Sequence, residues 1–264
     1  MNIISILITI LIICVLVIVH ELGHFFVAKR NDVFIEEFAI GMGPKLYSRQ
    51  GKETLFTIRA FPVGGFCRMR GEEPEFDEDG ELIPRDPSLP VDPRSYEAKN
   101  QRQKLAILVA GSAMNIIFAI VALVVVALFT GHTNIFDAVV TAFYNTGRFA
   151  GLIFQSFAML FTGEVGFNDV AGPIGMVSMV GSFLDSGVII LLAFTAMLSV
   201  NLGVINLFPI PALDGGRIFI ILIELVTRRK FSPKTENMIN FIGFMVLIAL
   251  MIIIAVNDVM RLAA

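Results

Sequence analysis

Three residues near the N-terminus, His20, Glu21 and His24, stand in the pattern H-E-x-x-H. On a helix, residues four apart share a face, so both imidazoles can turn a ring nitrogen to one metal ion. Zinc takes such nitrogen and oxygen donors in a tetrahedron, and in catalytic sites it keeps one position for water. The ion lowers the pKa of that water towards about 7. Glu21, adjacent to the donors, can take its proton and leave a hydroxide that attacks a carbonyl. The alternative is a helix that happens to carry polar groups. Against it stands the setting: the preceding run Ile3–Val19 holds no charge, and two of the three histidines in the chain fall in the motif. Ionisable groups in such a run are expensive to bury and mark function by default.

Two histidines leave the site one donor short. Asp214, in NLFPIPALDGG (Asn206–Gly216), is the candidate third ligand. Pro209 and Pro211 break the helix before it and let the chain fold back over the metal. Gly215 and Gly216 allow close backbone approach. Taken alone, an Asp before Gly-Gly is a turn residue more often than a ligand, so its depth in the structure has to decide. Asn206 is placed to hydrogen-bond a substrate backbone or an oxyanion; the competing role is helix–helix packing.

The elements that position these groups follow from composition. Of 264 residues 56% are hydrophobic and only 16% charged, against about a quarter charged in soluble domains. Four predominantly apolar stretches, about 3–28, 105–130, 188–208 and 238–256, reach or approach the roughly 20 residues that cross a bilayer as a helix. The expected fold is a polytopic α-helical membrane protein with four spans. The first apolar segment has no basic region before it and ends in His-Glu, so it reads as a retained span, not a cleaved signal. Residues 29–104 hold 13 Lys/Arg and 214–237 hold 5, while 130–187 hold only Arg148. The positive-inside rule then puts 29–104 and 214–237 in the cytosol and both termini outside. At about 1.5 Å per residue, His20 lies roughly 25 Å along the first span, on the cytosolic side of a core about 30 Å thick. The third span enters from outside and delivers Asp214 to the same depth. That agreement favours Asp214 as the ligand.

The loops carry further expectations. ETLFTIRAFPVGGFCRMR (53–70) reads as two short strands and a turn at Pro62–Gly65. It is apolar for a cytosolic loop and is expected to dip into the membrane or line a cavity. The acidic, Pro-rich stretch 71–92 reads as a solvated linker with no chemistry assigned. Residues 135–162 have apolar positions at roughly helical spacing and are expected to lie as an amphipathic helix on the outer surface, with a fifth span as the competing reading. The net charge of −3 and the lack of a basic tract argue against nucleic acid, and Cys14 and Cys67, in a span and a loop, argue against a disulfide framework.

With these residues in place the chain resembles the site-2 protease family of intramembrane zinc metalloproteases, in the branch of the bacterial regulator of sigma-E protease. HELGH and NLFPIPALDGG form a specific pair. Gly-Met-Gly (41–43), Gly64-Gly65, GSAMN (Gly111–Asn115) and DVAGP (169–173) look like further family landmarks, with Ser112 where the family more often has Pro. The resemblance implies that His20, His24 and Asp214 hold one Zn2+ and that Glu21 is the catalytic base. It also implies that an unwound substrate pairs with a strand edge at Val63, Gly64, Gly65, Phe66 and on to Arg68, with Asn206, Pro209 and Pro211 on its other side. For Gly64-Gly65, a plain turn is the competing role. The implied partners are single-span membrane proteins, such as pre-trimmed anti-sigma factors or remnant signal peptides, and the lipid bilayer; the implied place is the bacterial inner membrane. Members of this branch usually carry a PDZ domain on the outer face, and GHTNIFDA (131–138) leaves no room for one. Two other classes compete with the enzyme: an inert membrane-protein binder of the same fold, and a metal transporter. Retention of all four site residues argues against the first. The clustering of polar residues on one side of the membrane argues against the second. Ligand type alone does not single out zinc among divalent ions.

Overall fold

The computed structural model describes residues 2–72, 90–164 and 172–263. Within them the chain forms helix α1 (Ile3–Arg30), strands β1 (Ile35–Gln50) and β2 (Leu55–Met69), and helices α2 (Gln101–Phe129), α3 (Ile135–Thr162), α4 (Pro173–Asp185), α5 (Val188–Ile205), α6 (Asp214–Thr227) and α7 (Pro233–Ala263). Four of these helices, α1, α2, α5 and the 234–261 part of α7, are long and apolar enough to cross a membrane. The protein is thus a polytopic helical membrane protein with a small antiparallel sheet after its first helix. Most of the linker 71–92 and the landmark residues 169–171 lie outside the described residues.

Local chemistry sets the ends of these helices. Asn2 accepts the Ile4 N–H at the start of α1, and Lys29 and Arg30 sit in its last turn, where cations complement the helix dipole. Asn100 and Gln103 form a reciprocal capping box at the start of α2, which satisfies two otherwise orphaned donors. Asp258 of α7, only 4% exposed, caps a different helix: its carboxylate accepts the N–H groups of Gly172, Ile174 and Gly175 at 2.9–3.1 Å and so pins the start of α4.

Three apolar clusters hold the elements together. Ala28, Val33, Ile35, Phe38, Met69 and Ile107 join the end of α1 to the sheet and the start of α2. Ala119, Leu123, Ala142, Ala196 and Val200 join α2, α3 and α5. Ile12, Leu16, Val180 and Phe194 join α1, α4 and α5. α3, read from the sequence as a surface helix, packs beside α2 and α5, and its far end sets Phe154 and Phe157 against Phe208, with ring centroids 5.3 and 4.5 Å away. Along α1 and α7 large apolar side chains such as Leu7, Leu11, Phe241 and Ile253 face outward, as a lipid-facing surface requires.

The sheet differs from the expected pair of short strands. Residues 55–69 form one continuous, irregular strand, and its partner β1 had no counterpart in the sequence reading. Glu37–Ile40 of β1 pairs with Leu55–Ile58 on one side and with Gly65–Arg68 on the other, while Tyr47–Gln50 pairs with Leu55–Ile58 around the turn at 51–54. The bends that allow this fall at Gly41, Gly43 and Gly64, all with φ between 83° and 86°, a region other residues seldom adopt. The outer edge of Gly65–Arg68 has no further strand paired to it among the described residues.

Replacing Asp258 with Ala would leave three helix-start N–H groups without their acceptor, at about 1–3 kcal/mol for a buried donor left unpaired. Asp258→Ala is therefore expected to lower the melting temperature and to speed amide exchange at the start of α4, with a smaller effect from Asp258→Asn. Unchanged exchange at Ile174 and Gly175 would contradict this.

Candidate metal centre and active site

His20 and His24 lie on the buried face of α1 together with Leu16, Gly23 and Ala28. Their rings meet edge to face, with centroids 4.8 Å apart and Nε2 atoms 3.1 Å apart. Asp214, the first residue of α6, brings Oδ2 to 3.0 Å from Nε2 of His20 and 3.3 Å from Nε2 of His24. Zinc held at about 2.0–2.1 Å by N and O donors needs donors about 3.3 Å apart along a tetrahedral edge. The triangle observed here, 3.0–3.3 Å on each side, fits one such ion. Among the described residues this trio is the group of His, Cys and acidic side chains whose donor atoms converge.

Close helix contact makes the convergence possible. A Cβ at Gly23 would lie 2.6 Å from the Ala110 carbonyl carbon, and one at Gly111 would lie 2.7 Å from Cε1 and Nε2 of His20. Small residues on both helices thus bring α2 up to the imidazoles. The N–H at Nδ1 of His24 donates to the carbonyl of Ile107, 2.8 Å away. Nδ1 of His20 faces the amide of Asn115, with Nδ2 at 3.3 Å.

Asp214 is positioned by the broken segment before it. α5 ends at Asn206, whose carbonyl accepts the Gly215 N–H at 2.7 Å, so the end of one helix is tied to the start of the next. Ala212 takes a left-handed conformation, φ 72°, to make the reversal. Pro211 is covered by α7 at Gly243, where a Cβ would fall 2.8 Å from the Pro211 carbonyl. One turn after Asp214, Arg217 forms an ion pair with Glu72 just beyond β2 and stacks on Tyr96, its guanidinium 5.5 Å from the ring centre. Burial works against the Arg217 charge, but Glu72 outweighs it and holds the guanidinium firmly protonated.

These groups border a cavity of about 460 Å³. His20, Glu21, His24 and Asp214 line it from the helices, Phe66 and Arg68 from β2, and Asn206 from the end of α5. Gly65 is pressed against α1, where a Cβ would meet Val17 at 3.4 Å and the Glu21 side chain at 3.8 Å. Gly64 packs on Met42, the Val63 backbone continues the same strand, and Pro209 lies in the turn between α5 and α6 without lining the cavity. Asn206 turns Nδ2 to within 3.4 Å of Nε2 of His20. Cys67 is buried under the sheet, which pushes its thiol well above the usual range and leaves it unreactive. The sequence reading missed Glu72, which it placed in a linker without chemistry, because an acidic, Pro-rich neighbourhood hides a residue paired to a cation 145 positions away.

Residues 8–250 match peptidase family M50. The chain belongs to that family. A Clostridium acetobutylicum protein provisionally named a zinc metalloprotease is 30% identical, over 98% of each chain. The zinc metalloproteases RasP of Shouchella clausii and Bacillus licheniformis are 25% and 26% identical, over 94–96% of this chain and 97–98% of theirs. This M50 peptidase is accordingly a zinc metalloendopeptidase of the site-2 protease type, and an integral membrane protein. The alignments with the first two run over 347 and 409 positions against 264 residues here, so those relatives carry inserted residues that this chain lacks.

Gly111→Ala should force the His20 and His24 rings off their shared centre. Overpacking of this kind costs about 1–3 kcal/mol, so zinc affinity measured against a competing chelator is expected to fall by about 5- to 150-fold. Full affinity in that variant would show that α2 does not set the ring positions.

Proposed function

We propose that this M50 peptidase cuts a peptide bond in or near the membrane-spanning segment of a single-span protein, with His20, His24 and Asp214 holding one zinc ion and Glu21 as the base. The observation that carries this reading is convergence. Three donor atoms stand 3.0–3.3 Å apart on the wall of a cavity that Glu21 also lines and that the unpaired edge of β2 borders.

When bound, zinc supplies a Lewis acid that polarises the scissile carbonyl and acidifies the attacking water. Glu21 takes a proton from that water and passes it to the departing amide nitrogen. The Asn206 amide, beside His20, donates to the carbonyl oxygen as negative charge grows there. A helical substrate hides its carbonyls in its own hydrogen bonds. Pairing an unwound stretch with the backbone of Val63–Arg68 replaces those bonds and lays the chain past Glu21, while Asn206, Ala212 and Leu213 border it from the α5–α6 side. Pro209 and Pro211, expected to touch substrate, do not line the cavity and shape the turn instead. The charge distribution supports termini outside and the site towards the cytosol of a bacterial inner membrane. The short connection between α2 and α3 supports the absence of a PDZ domain and hence weaker rejection of substrates with untrimmed ectodomains. Anti-sigma factors already cut outside and remnant signal peptides have the required form.

The test is cleavage of a trimmed single-span reporter in liposomes. Glu21→Gln is expected to lose activity by about 10²–10⁴-fold, the usual worth of a positioned base, with zinc retained. Asp214→Asn should lose zinc and activity together. Wild-type turnover by Glu21→Gln would remove Glu21 from the mechanism. A zinc-loaded wild type that cut none of several reporters would point instead to an inert binder of the same fold.

A further inference from the structure

The two histidines are held in different ways. His24 is fixed by main chain: the carbonyl of Ile107, 2.8 Å from Nδ1, can only accept a hydrogen bond. It therefore keeps the proton on Nδ1 and leaves the Nε2 lone pair for a metal. Among the described residues, the Nδ1 of His20 meets no carbonyl. Its neighbour is the Asn115 side chain, fully buried in the middle of α2, with Nδ2 at 3.3 Å. Oδ1 of the same amide is buried and has no hydrogen-bond partner.

An imidazole that gives Nε2 to zinc must carry its proton on Nδ1, and that proton needs an acceptor. An amide NH2 cannot accept; an amide oxygen can. The two ends of the amide are nearly the same shape, so a half-turn brings the orphaned Oδ1 to Nδ1 of His20 and moves the amide N–H groups to the place the oxygen held. The rest of Asn115 is already locked. Its carbonyl accepts the Ser199 hydroxyl at 2.8 Å, and Gly203 of α5 packs against its Cβ.

We propose that Asn115 is a positioning residue: with Oδ1 turned to His20 it accepts the Nδ1–H, selects the tautomer that ligates through Nε2, and holds the ring towards Asp214. This rests on His20 being a zinc ligand. It explains a fully buried amide in an apolar span, and it gives the otherwise unpaired oxygen a partner.

The test compares Asn115→Leu, Asn115→Asp and His20→Ala with the wild type, using zinc itself as probe. The readouts are zinc affinity by chelator competition and the ¹⁵N signals of labelled histidine in the zinc-loaded protein. Losing a group that orients a ligand costs about 10–100-fold in metal affinity, so Asn115→Leu should bind zinc that much more weakly and lose the protected Nδ1–H of His20. Asn115→Asp keeps an acceptor and should restore both affinity and signal. A residue that merely filled space would give the opposite order, because Leu suits an apolar span and a carboxylate does not. Leu binding as tightly as wild type, with Asp weaker, overturns the inference. Should His20→Ala also keep full zinc affinity, the ligand assignment itself falls; should it lose zinc while Asn115→Leu does not, only the role of Asn115 falls.

Discussion

Polar atoms inside a lipid-facing bundle must find all their partners within the protein, because the bilayer core offers none. Here a carboxylate, two imidazoles and two amides lie together among apolar helices, and most of the architecture answers the needs of that group. The main chain of α2 supplies an acceptor at Ile107, the side chains of Asn115 and Asn206 face the rings, and α6 supplies the negative charge. None of this is possible unless α1 and α2 approach closely, which is why glycine stands at both 23 and 111.

That proximity has a second cost. The donor that completes the group cannot come from a straight membrane helix, since its carboxylate must arrive near the end of α5 and point back into the bundle. The Pro-rich break, the left-handed Ala212 and the Gly215–Asn206 hydrogen bond are the means of reversal. The Arg217–Glu72 pair then ties the new helix to the residue just beyond β2. The strand edge proposed to receive substrate and the helix that carries Asp214 are thus linked through one ion pair.

How much of this was legible in the sequence depends on the kind of signal. The apolar runs of α1, α2, α5 and α7 are dictated by hydrocarbon and are visible in composition alone. His20 and His24 were visible because four residues is the repeat of a helix face, and Asp214 because the matched depth of two spans narrows the choice of acid. β1 was hidden by Gly41, Gly43 and Pro44, residues that usually end strands but here bend one. α6 was hidden because it is short, amphipathic and follows two prolines. Asn115 was quoted as part of a motif without a role, although a lone amide in an apolar span was itself a signal. The Glu72–Arg217 pair has no local signature at all; only the folded chain brings positions 145 apart together.

Asp214 follows His20 by 194 residues. During synthesis the first helix, the sheet, α2 and α5 all leave the ribosome before that carboxylate exists. A nascent chain carries two imidazoles without the carboxylate that meets them in the folded protein, and two donors would hold zinc less well than the three proposed above. With the ligand set proposed above, hydrolysis would have to wait until Asp214 has been brought back to His20 and His24.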